Sequence, residues 1–422
     1  MGKRCVAIVS GTRPEVIKLA PVHRALRASP DLDVRWIHTG QHGEMATDML
    51  RCFGIVPDVE LQRGGVSLGA FSAACRTQLE DLHARQQWDA CVVQGDTESA
   101  FLGALAAFYA RVPLVHVEAG LRTGNLERPF PEEGIRQMIS RVASVHCAPT
   151  RAARSELLRE GIAARKILLT GNTVVDAQRW ICERNGIRRE GPPRGGHILV
   201  TAHRREHWGD AMAQTFEAVA DIARAYPALR ILFPVHLNPV VLQPASAILG
   251  GLANVALLPP LDYVAMQRAL SNAALLLTDS GGLQEEAPTF GVPTLVLRRE
   301  TERPEAVQAG CALLVGPERR NIVAAVTRLL DDAAAAEAMR KVANPFGDGH
   351  AAERVCDAVL RLAGMPAPLR RRPPPPSARA AGAGSPVRAF HGPLRAVARP
   401  VPLPMAVPVP NAAAGSAAGD GA

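Results

Sequence analysis

The sequence lacks long hydrophobic runs, since none of its apolar segments approaches the roughly 20 residues that cross a bilayer. Residues 1–4 lead directly into a short apolar segment, without the apolar stretch of a signal peptide. None of the eight cysteines belongs to a C-x-x-C pair, and Cys5 and Cys91 lie inside apolar runs that predict strands. Buried free thiols are typical of a reducing compartment. We therefore expect a cytoplasmic protein without a membrane partner.

Two familiar phosphate-binding motifs are also absent from the sequence. It contains no G-x-x-x-x-G-K-[ST] segment, and no G-x-G-x-x-G segment follows the first predicted strand, which disfavours nucleotide hydrolysis and NAD chemistry. Residues 203–207 (HRREH) match the H-x-x-E-H spacing of some zinc proteases. That segment directly follows a predicted strand, and the sequence suggests no third ligand. We expect neither a metal nor a cofactor.

Acidic residues are almost missing from the C-terminal tail, residues 366–422, which holds seven arginines and one acid, Asp420. The preceding residues hold 41 basic and 39 acidic side chains, so they are nearly neutral although the whole chain carries a charge of +8. A nucleic-acid partner is therefore not expected. Proline, alanine, glycine and arginine dominate the tail and cannot build a core, so the sequence predicts that it is disordered.

Apolar segments of strand length alternate with helical patterns along the first 365 residues, which is typical of parallel βαβ units. The predicted strands cover residues 4–10, 34–38, 90–94, 113–117, 198–201, 231–235, 255–258, 275–278 and 294–297. Residues 191–196 are rich in glycine and proline and resemble a linker. We therefore predict an α/β fold with two doubly wound, Rossmann-like domains facing each other across a cleft, residues 1–175 and 176–365. The last helix is predicted to pack back on the first domain.

One polar junction between a predicted strand and a predicted helix lies at residues 278–288 (TDSGGLQEEAP). Two glycines there allow a ligand to approach the backbone, and the free N–H groups of a new helix favour an anion. Glu285 and Glu286, which we place in the first turn of that helix, would repel a bare phosphate but suit sugar hydroxyls. This indicates a nucleotide sugar. An ordinary turn capped by Asp279 or Ser280 is the alternative for this segment alone.

Acidic and basic side chains follow other predicted strands, at the ends where ligands of open α/β sheets bind. Three acids follow predicted strands or lie in the loop after the strand at residues 113–117: Asp96, Glu118 and Glu132. Together they predict general acid/base catalysis. The basic residues that could clamp a pyrophosphate are Arg13, Lys18, His203, Arg204, Arg205 and Arg303. Each residue alone is more typical of surface charge, so the prediction depends on a shared location. The residues indicate a metal-independent enzyme for a nucleotide-linked sugar and leave transfer, hydrolysis and isomerisation open.

Eight segments, in order along the chain, resemble those of the non-hydrolysing UDP-N-acetylglucosamine 2-epimerases. They are residues 11–18 (GTRPEVIK), 94–97 (QGDT), 117–123 (VEAGLRT), 129–133 (PFPEE), 171–176 (GNTVVD), 203–206 (HRRE), 278–288 and 301–307 (TERPEAV). The resemblance covers nearly the whole chain except the tail. It implies a glycosyltransferase-B-like fold and no redox cofactor.

By this resemblance, the protein interconverts UDP-GlcNAc and UDP-ManNAc and supplies ManNAc for surface polysaccharide, and a homodimer is expected. The implied mechanism removes the C2 proton while the C1–O bond to UDP breaks, which leaves a bound 2-acetamidoglucal and UDP. Re-addition of UDP then gives the epimer. An unactivated C–H needs a positioned base, and the departing UDP needs cationic and N–H partners, which explains the mixture of acidic and basic side chains.

The resemblance also implies roles for individual residues. Asp96, Glu118 and Glu132 are the acid/base candidates, and His203 faces the leaving phosphate. The implied substrate-binding residues are Arg13, Lys18, Ser280, Gly281, Gly282, Glu286 (for the ribose) and Arg303 (for the pyrophosphate). A second UDP-GlcNAc, which acts as an activator in bacterial members, would contact Gln41, His42, Arg204, Glu206 and His236.

The sequence departs from the family pattern at three positions: His207 and Ile135 stand where asparagine is common, and Val66 where relatives have glutamine. Gly65 and Val66 supply no side-chain hydrogen bond to a second nucleotide sugar, which disfavours activation by substrate. Three other functions are alternatives. A hydrolysing 2-epimerase would release ManNAc and UDP, but residues 11–16 read GTRPEV rather than the GTRAEY of those enzymes. The others are a non-catalytic UDP-sugar-binding protein and a true glycosyltransferase.

Overall fold

Seven parallel strands form the first sheet of the computed structural model, which describes residues 2–188, 196–204 and 208–366. The strands are β1 (Arg4–Ser10), β2 (Leu32–His38), β3 (Val59–Glu60), β4 (Ala90–Gln94), β5 (Leu114–Val117), β6 (Val145–Ala148) and β7 (Ile167–Leu169). Their order across the sheet is β3-β2-β1-β4-β5-β6-β7. The chain therefore reverses its direction of winding between β1 and β4, and such a switch point opens a crevice at the carboxyl ends of the strands.

Six parallel strands form the second sheet on the same plan. They are β8 (His197–Thr201), β9 (Ile231–Pro234), β10 (Val255–Leu258), β11 (Ala273–Thr278), β12 (Thr294–Val296) and β13 (Ala312–Leu314). The order is β10-β9-β8-β11-β12-β13, so the switch point lies between β8 and β11. Thr201 and Thr278 end these two strands in register, and their buried hydroxyl groups are 2.6 Å apart.

Helices connect the strands in both halves. The first half contains α1 (Arg13–Arg27), α2 (Glu44–Phe53), α3 (Leu68–Arg85), α4 (Glu98–Tyr109), α5 (Glu132–Val142), α6 (Arg151–Arg159) and α7 (Thr173–Arg184). The rest of the chain contains α8 (Asp210–Ala225), α9 (Pro239–Leu249), α10 (Tyr263–Ser271), α11 (Gly281–Glu286), α12 (Pro304–Ala309), α13 (Arg319–Asp331), α14 (Ala333–Arg340) and α15 (Ala351–Leu362). Both sheets belong to one compact unit, Met1–Ser385, and the second unit, Pro386–Ala422, lies outside the described residues.

Apolar side chains cover both faces of each sheet. In β1, Val6 and Ile8 pack into one buried cluster while Ala7 and Val9 pack into another. In β8, Ile198 and Val200 join a third cluster, and Leu199 between them joins a fourth. A strand that is buried on both faces has a continuous apolar sequence, which explains why these strands could be predicted.

The last described helix, α15, contacts α1 and α7 of the first half. Asp176 of α7 accepts the backbone N–H groups of Ala351 (3.2 Å) and Ala352 (2.8 Å), so its carboxylate holds the N-terminus of α15. Burial raises the pKa of Asp176 to about 6. The Cys356 thiol of α15 donates to the Ala25 carbonyl at 3.6 Å. The end of the described chain is thereby fixed to the first half.

The predicted α/β fold with two doubly wound sheets is confirmed, and the strands predicted at residues 4–10 and 90–94 have the bounds of β1 and β4. Strands β3, β6, β7 and β13, of two to four residues each, were not predicted. The predicted domain limits stay a prediction, and residue 175 lies inside α7. The predicted disordered tail and all of the predicted linker but its last residue lie outside the described residues.

Among the described residues, no helix combines the length and the apolar character needed to cross a membrane.

Candidate active site at the edges of the two sheets

The turn from β1 into α1 brings two basic side chains to the carboxyl edge of the first sheet. Thr12 caps α1, and the Glu15 carboxylate accepts the backbone N–H groups of Gly11 (3.0 Å) and Thr12 (2.8 Å). The site needs glycine at position 11, since a Cβ there would lie 2.0 Å from the nearest side-chain oxygen. Arg13 opens the helix, and Lys18 follows with 8% of its surface exposed.

Glu118 directly follows β5 and is buried at the same edge. Its backbone φ of +61° is unusual for a residue other than glycine, and such backbone strain is often found at functional sites. Its carboxylate accepts hydrogen bonds from Lys18 Nζ (2.5 Å) and Gln94 Nε2 (2.7 Å). Burial raises the pKa of Glu118, and the attraction of Lys18 offsets this only in part. A raised pKa brings the carboxyl closer to the range of a general base at neutral pH.

Asp96 follows β4 through Gly95, and its turn is held from two sides. Asp96 Oδ2 lies 2.8 Å from an Arg136 terminal nitrogen of α5, and His116 of β5 donates from Nε2 to the Gly95 carbonyl at 2.8 Å. Burial raises the pKa of Asp96, although Arg136 opposes it. Burial lowers the pKa of His116 to about 3, so this histidine is a neutral donor at physiological pH.

Glu132 is the first residue of α5 and is half-buried. Its Oε2 atom is buried and has no hydrogen-bond partner in the described part of the chain. The neighbouring Glu133 accepts the backbone N–H groups of Thr123 (3.0 Å) and Gly124 (3.3 Å), which fixes the loop before the helix. The negative charge of Glu132 contributes to the raised pKa of Asp96, so the two carboxylates lie within electrostatic reach of each other.

On the second sheet, β11 leads into α11 through Asp279 and Ser280, which is the N-cap of the helix. Asp279 is 1% exposed and accepts the backbone N–H groups of His203 and Arg204, both at 2.8 Å. His203 Nδ1 also lies 3.2 Å from Asp279 Oδ1. Asp279 therefore joins the turn after β8 to the turn after β11 across the switch point.

The start of α11 faces two guanidinium groups. A Cβ on Gly281 would lie 3.8 Å from a terminal nitrogen of Arg204 and 3.9 Å from Arg303, whereas Gly282 is exposed. The backbone N–H groups at the start of a helix and bidentate arginine side chains are both suited to a phosphate group. This end of the second sheet can therefore bind an anion.

The prediction that Glu285 and Glu286 lie in the first turn of the helix is wrong, because α11 has six residues and these are its last two. Glu286 is 5% exposed, and its two oxygens accept hydrogen bonds from Tyr263 (3.0 Å) and Gln267 (2.7 Å). Burial raises the pKa of Glu286 to about 7. Each carboxylate oxygen keeps a lone pair for a further donor.

Glu285 belongs to a ring of four alternating charges that the sequence did not predict. Lys18 Nζ lies 2.5 Å from Glu118 Oε2 and 3.3 Å from Glu285 Oε2. Arg303 donates from Nε to Glu285 Oε1, and one of its terminal nitrogens lies 3.7 Å from Glu118 Oε1. The four side chains are only 1–11% exposed. Both oxygens of Glu285 thus face cations, and the prediction that Glu285 turns toward sugar hydroxyls is wrong.

The ring keeps its cations charged. Burial alone would lower the pKa of Lys18, but the attraction of Glu118 and Glu285 outweighs it and raises the pKa. The same balance raises the pKa of Arg303. Burial by itself would raise the pKa of Glu285, but Arg303 and Lys18 lower it. The first half of the molecule, with Lys18 and Glu118, is thereby joined to the second through buried ion pairs.

His203, predicted to face the leaving phosphate, and His236, predicted to contact a second nucleotide sugar, lie side by side. The His203 and His236 rings are stacked, with centroids 6.5 Å apart and planes at 7°. Both side chains are exposed. The H-x-x-E-H segment runs out of the described residues at position 205, and among the described residues no three histidine, cysteine or acidic side chains are placed to hold a metal ion.

The other residues predicted to bind a second nucleotide sugar lie on both halves. Gln41 Oε1 accepts hydrogen bonds from the backbone N–H (3.0 Å) and the hydroxyl group (2.6 Å) of Ser99. His42 is exposed, and Val66 is 94% exposed. Glu206 lies outside the described residues. A second nucleotide-sugar site stays a prediction.

Comparison with known proteins decides the family. A family model described as UDP-N-acetylglucosamine 2-epimerase matches residues 24–360. The UDP-N-acetylglucosamine 2-epimerase of Escherichia coli (strain K12) is 43% identical over 367 residues, which cover 84% of this chain and 98% of that protein. The chain belongs to the UDP-N-acetylglucosamine 2-epimerase family.

Solved structures place this epimerase family member among proteins of the same architecture. UDP-GlcNAc 2-epimerase from Neisseria meningitidis, bound to UDP-GlcNAc, is 37% identical with a TM-score of 0.78 and covers 85% of this chain and 100% of its own. The Methanocaldococcus jannaschii enzyme in complex with UDP-GlcNAc and UDP is 32% identical, with a TM-score of 0.71 and coverage of 85% and 99%. A glycosyltransferase from Rickettsia africae, 11% identical with a TM-score of 0.55, covers 86% of this chain and 99% of its own and shares the fold.

Two facing groups of residues thus make up the candidate site of this epimerase family member. The first sheet and its loops place Arg13, Lys18, Asp96, Glu118 and Glu132, and the second places His203, Ser280, Gly281, Gly282, Glu286 and Arg303. Lys18 and Glu118 contact Arg303 or Glu285 directly, and the charge of Arg13 acts on Glu286. Glu285 was not predicted as a partner of Lys18, because a local sequence pattern carries no information about contacts between distant parts of the chain.

Proposed function

We propose that this protein is a UDP-N-acetylglucosamine 2-epimerase that interconverts UDP-GlcNAc and UDP-ManNAc without hydrolysis and supplies ManNAc for surface polysaccharide. The observation that carries the proposal is the buried contact between the acid/base residues of the first sheet and the anion-binding residues of the second, through Lys18, Glu118 and Arg303. Relatives solved with UDP-GlcNAc or UDP support it, since they share the fold over 85% of this chain.

In this proposal the second sheet holds UDP. The backbone N–H groups of Gly281 and Gly282, which open α11, bind the diphosphate together with the guanidinium groups of Arg204 and Arg303, which lie beside Gly281. His203, on the same edge, faces the phosphate that becomes the leaving group. Glu286 accepts a ribose hydroxyl group with the lone pairs that Tyr263 and Gln267 leave free.

The first sheet supplies the proton transfers. One carboxylate removes the C2 proton, the electron pair of that C–H bond forms the C1–C2 double bond, and the C1–O bond breaks with its electron pair leaving on UDP. Return of a proton to the other face of C2, with attack of the UDP oxygen at C1, gives the epimer. Asp96, Glu118 and Glu132 project from different elements, so two of them can serve opposite faces of the sugar ring.

Analysis of the products tests this proposal. Purified protein is incubated with UDP-GlcNAc, and the mixture is separated by ion-exchange chromatography. We expect UDP-ManNAc in equilibrium with UDP-GlcNAc, and no accumulation of free sugar. Free ManNAc together with an equal amount of UDP would show a hydrolysing epimerase instead. Unchanged UDP-GlcNAc, despite measurable binding of UDP, would favour a binding protein.

We further propose that the enzyme is a cytoplasmic homodimer. None of the eight cysteines, all of which lie in the described residues, is joined in a disulfide, which is typical of a reducing compartment. Phe108 and Tyr109 at the end of α4 and Met138 of the adjacent α5 are 47–61% exposed. Apolar side chains exposed on neighbouring helices support a contact surface for a second copy of the chain.

A further inference from the structure

The four buried charges are divided evenly between the two halves of the molecule. Lys18 and Glu118 come from the first half, and Glu285 and Arg303 come from the second. The tighter contacts are made within each half, Lys18 with Glu118 at 2.5 Å and Arg303 with Glu285. The contacts between the halves are longer, at 3.3 and 3.7 Å. Each half therefore contributes an ion pair without net charge. The contacts between the halves give each of the four charged groups a second partner of opposite charge.

Glu285 fixes the orientation of the Arg303 guanidinium group. The Nε edge of Arg303 is bound to Glu285, and one terminal nitrogen donates to the Glu302 carbonyl at 3.2 Å. The other terminal nitrogen lies toward Glu118 and toward the start of α11, where a Cβ on Gly281 would lie 3.9 Å away. Because Glu285 occupies the Nε edge and the Glu302 carbonyl binds Nη1, the Nη2 group remains directed at the place where a diphosphate would lie.

Glu285 also acts on Lys18. Its carboxylate is 3.3 Å from Lys18 Nζ, which also contacts Glu118 at 2.5 Å, so the ammonium group is paired with two carboxylates. Without Glu285, Lys18 would keep Glu118 as its one anionic partner among the described residues. A buried cation that loses one of two partners is less strongly held in its charged form.

We propose that Glu285 is a positioning residue of the reaction, which orients Arg303 toward the start of α11 and holds Lys18 against Glu118. The inference rests on the proposed epimerase activity for its kinetic consequence. Glu285 itself does not touch the substrate, because both of its oxygens face cations and its side chain is 1% exposed.

Chemical labelling of lysine tests the contact to Lys18 without any need for activity. The chain has four lysines, so mass spectrometry can follow each one after reaction with an amine-specific reagent. In Glu285→Gln, the label on Lys18 should appear on the order of tenfold faster relative to exposed Lys341, because an ammonium group that loses one of two carboxylate partners releases its proton more readily. The matched control is Glu302→Gln, which removes a carboxylate 3.8 Å from Arg303 on its other side. It should leave the Lys18 rate unchanged.

Kinetics test the consequence for the reaction. In Glu285→Gln, kcat/KM for epimerisation should fall on the order of 10²-fold, because small displacements of catalytic groups have effects of this size. Glu118 faces Lys18 of α1, Gln94 of β4, Glu285 of α11 and Arg303, and the charge of Glu285 raises the pKa of Glu118. The acid limb of the kcat/KM profile should therefore move to lower pH in the variant. Glu285→Asp keeps the charge and should recover part of the activity.

The outcomes separate this inference from the proposed function. Faster labelling of Lys18 in Glu285→Gln, together with a wild-type protein that fails to epimerise UDP-GlcNAc, would refute the function and leave the contact standing. An active wild type whose Glu285→Gln variant labels Lys18 at the control rate would overturn the inference alone. A second result would also overturn the inference. If Glu285→Gln loses activity while the acid limb of its kcat/KM profile stays at the wild-type pH, and if Glu285→Asp recovers no activity, Glu285 has only a structural role.

Discussion

Glu132 offers a carboxylate oxygen that is buried and has no partner within the described residues, which suits a group that awaits a substrate proton. Replacement of Glu132 by glutamine keeps the shape and removes the capacity to accept a proton. We expect kcat to fall about 10²- to 10⁴-fold, the usual contribution of a general acid or base, while calorimetry shows unchanged UDP affinity. The control is Glu127→Gln, which changes an exposed glutamate in the loop before α5. A wild-type kcat in Glu132→Gln would show that this residue takes no part in the proton transfers.

Glu15 connects the two turns that carry Arg13 and Asp96, since its second oxygen accepts the Thr97 hydroxyl group at 2.7 Å. Burial raises its pKa from the ordinary 4.5 to about 7. The folded state then binds this proton more tightly than the unfolded state, so the stabilisation is present below about pH 4.5 and is lost as the pH rises through about 7. The difference corresponds to on the order of 3 kcal/mol of unfolding free energy.

Glu15→Gln should therefore flatten the pH dependence of stability. Urea unfolding at about pH 5 and at about pH 8 should show a smaller fall in unfolding free energy for this variant than for wild type. Glu44→Gln changes an exposed glutamate at the start of α2 and should follow wild type. Equal slopes in all three proteins would show that Glu15 titrates at its ordinary value.

At the scale of elements, the close packing of Gly11 against Thr39 and Ser99 determines the direction in which α1 leaves the first sheet. A Cβ at this position would lie 2.0 Å from Thr39 Oγ1 and 2.1 Å from Ser99 Oγ. These two hydroxyl groups form a hydrogen bond of 2.7 Å with each other. Gly11→Ala should therefore lower the unfolding free energy by about 1–3 kcal/mol and displace Arg13. In Gly69→Ala, no described atom outside the neighbouring residues and the local backbone of α3 lies within 4 Å of the new Cβ, and stability should change by less than about 1 kcal/mol. Similar denaturation midpoints for the two variants would contradict this assignment.

The elements also show how far the sequence predicts the site. Strands buried on both faces are continuous apolar runs, so β1, β4, β8 and β11 could be recognised, and with them the polar residues just beyond their ends. The first residue of α11 could not be recognised, because a strand–glycine–helix pattern does not fix the residue at which the helix begins. Glu285 was consequently placed near sugar hydroxyls, whereas its partners Lys18 and Arg303 come from other parts of the chain.

At the scale of the whole molecule, the proposed mechanism needs groups from both sheets. The first sheet carries the carboxylates with raised pKa values, Asp96 and Glu118, and the second carries the start of α11, where we propose that the diphosphate binds. Buried ion pairs join the two sheets, and in the proposed mechanism proton removal and departure of UDP occur together beside them. Coupling of those two events is the central claim of the proposed mechanism.

Exchange at C2 tests that claim most directly. The protein is incubated with UDP-GlcNAc in D2O, and the C2 proton is followed by proton NMR. The mechanism predicts deuterium at C2 of all UDP-ManNAc formed and its gradual appearance at C2 of the remaining UDP-GlcNAc, because every turnover exchanges this proton with solvent. Formation of UDP-ManNAc that retains its C2 proton, or no exchange at all, would contradict the mechanism.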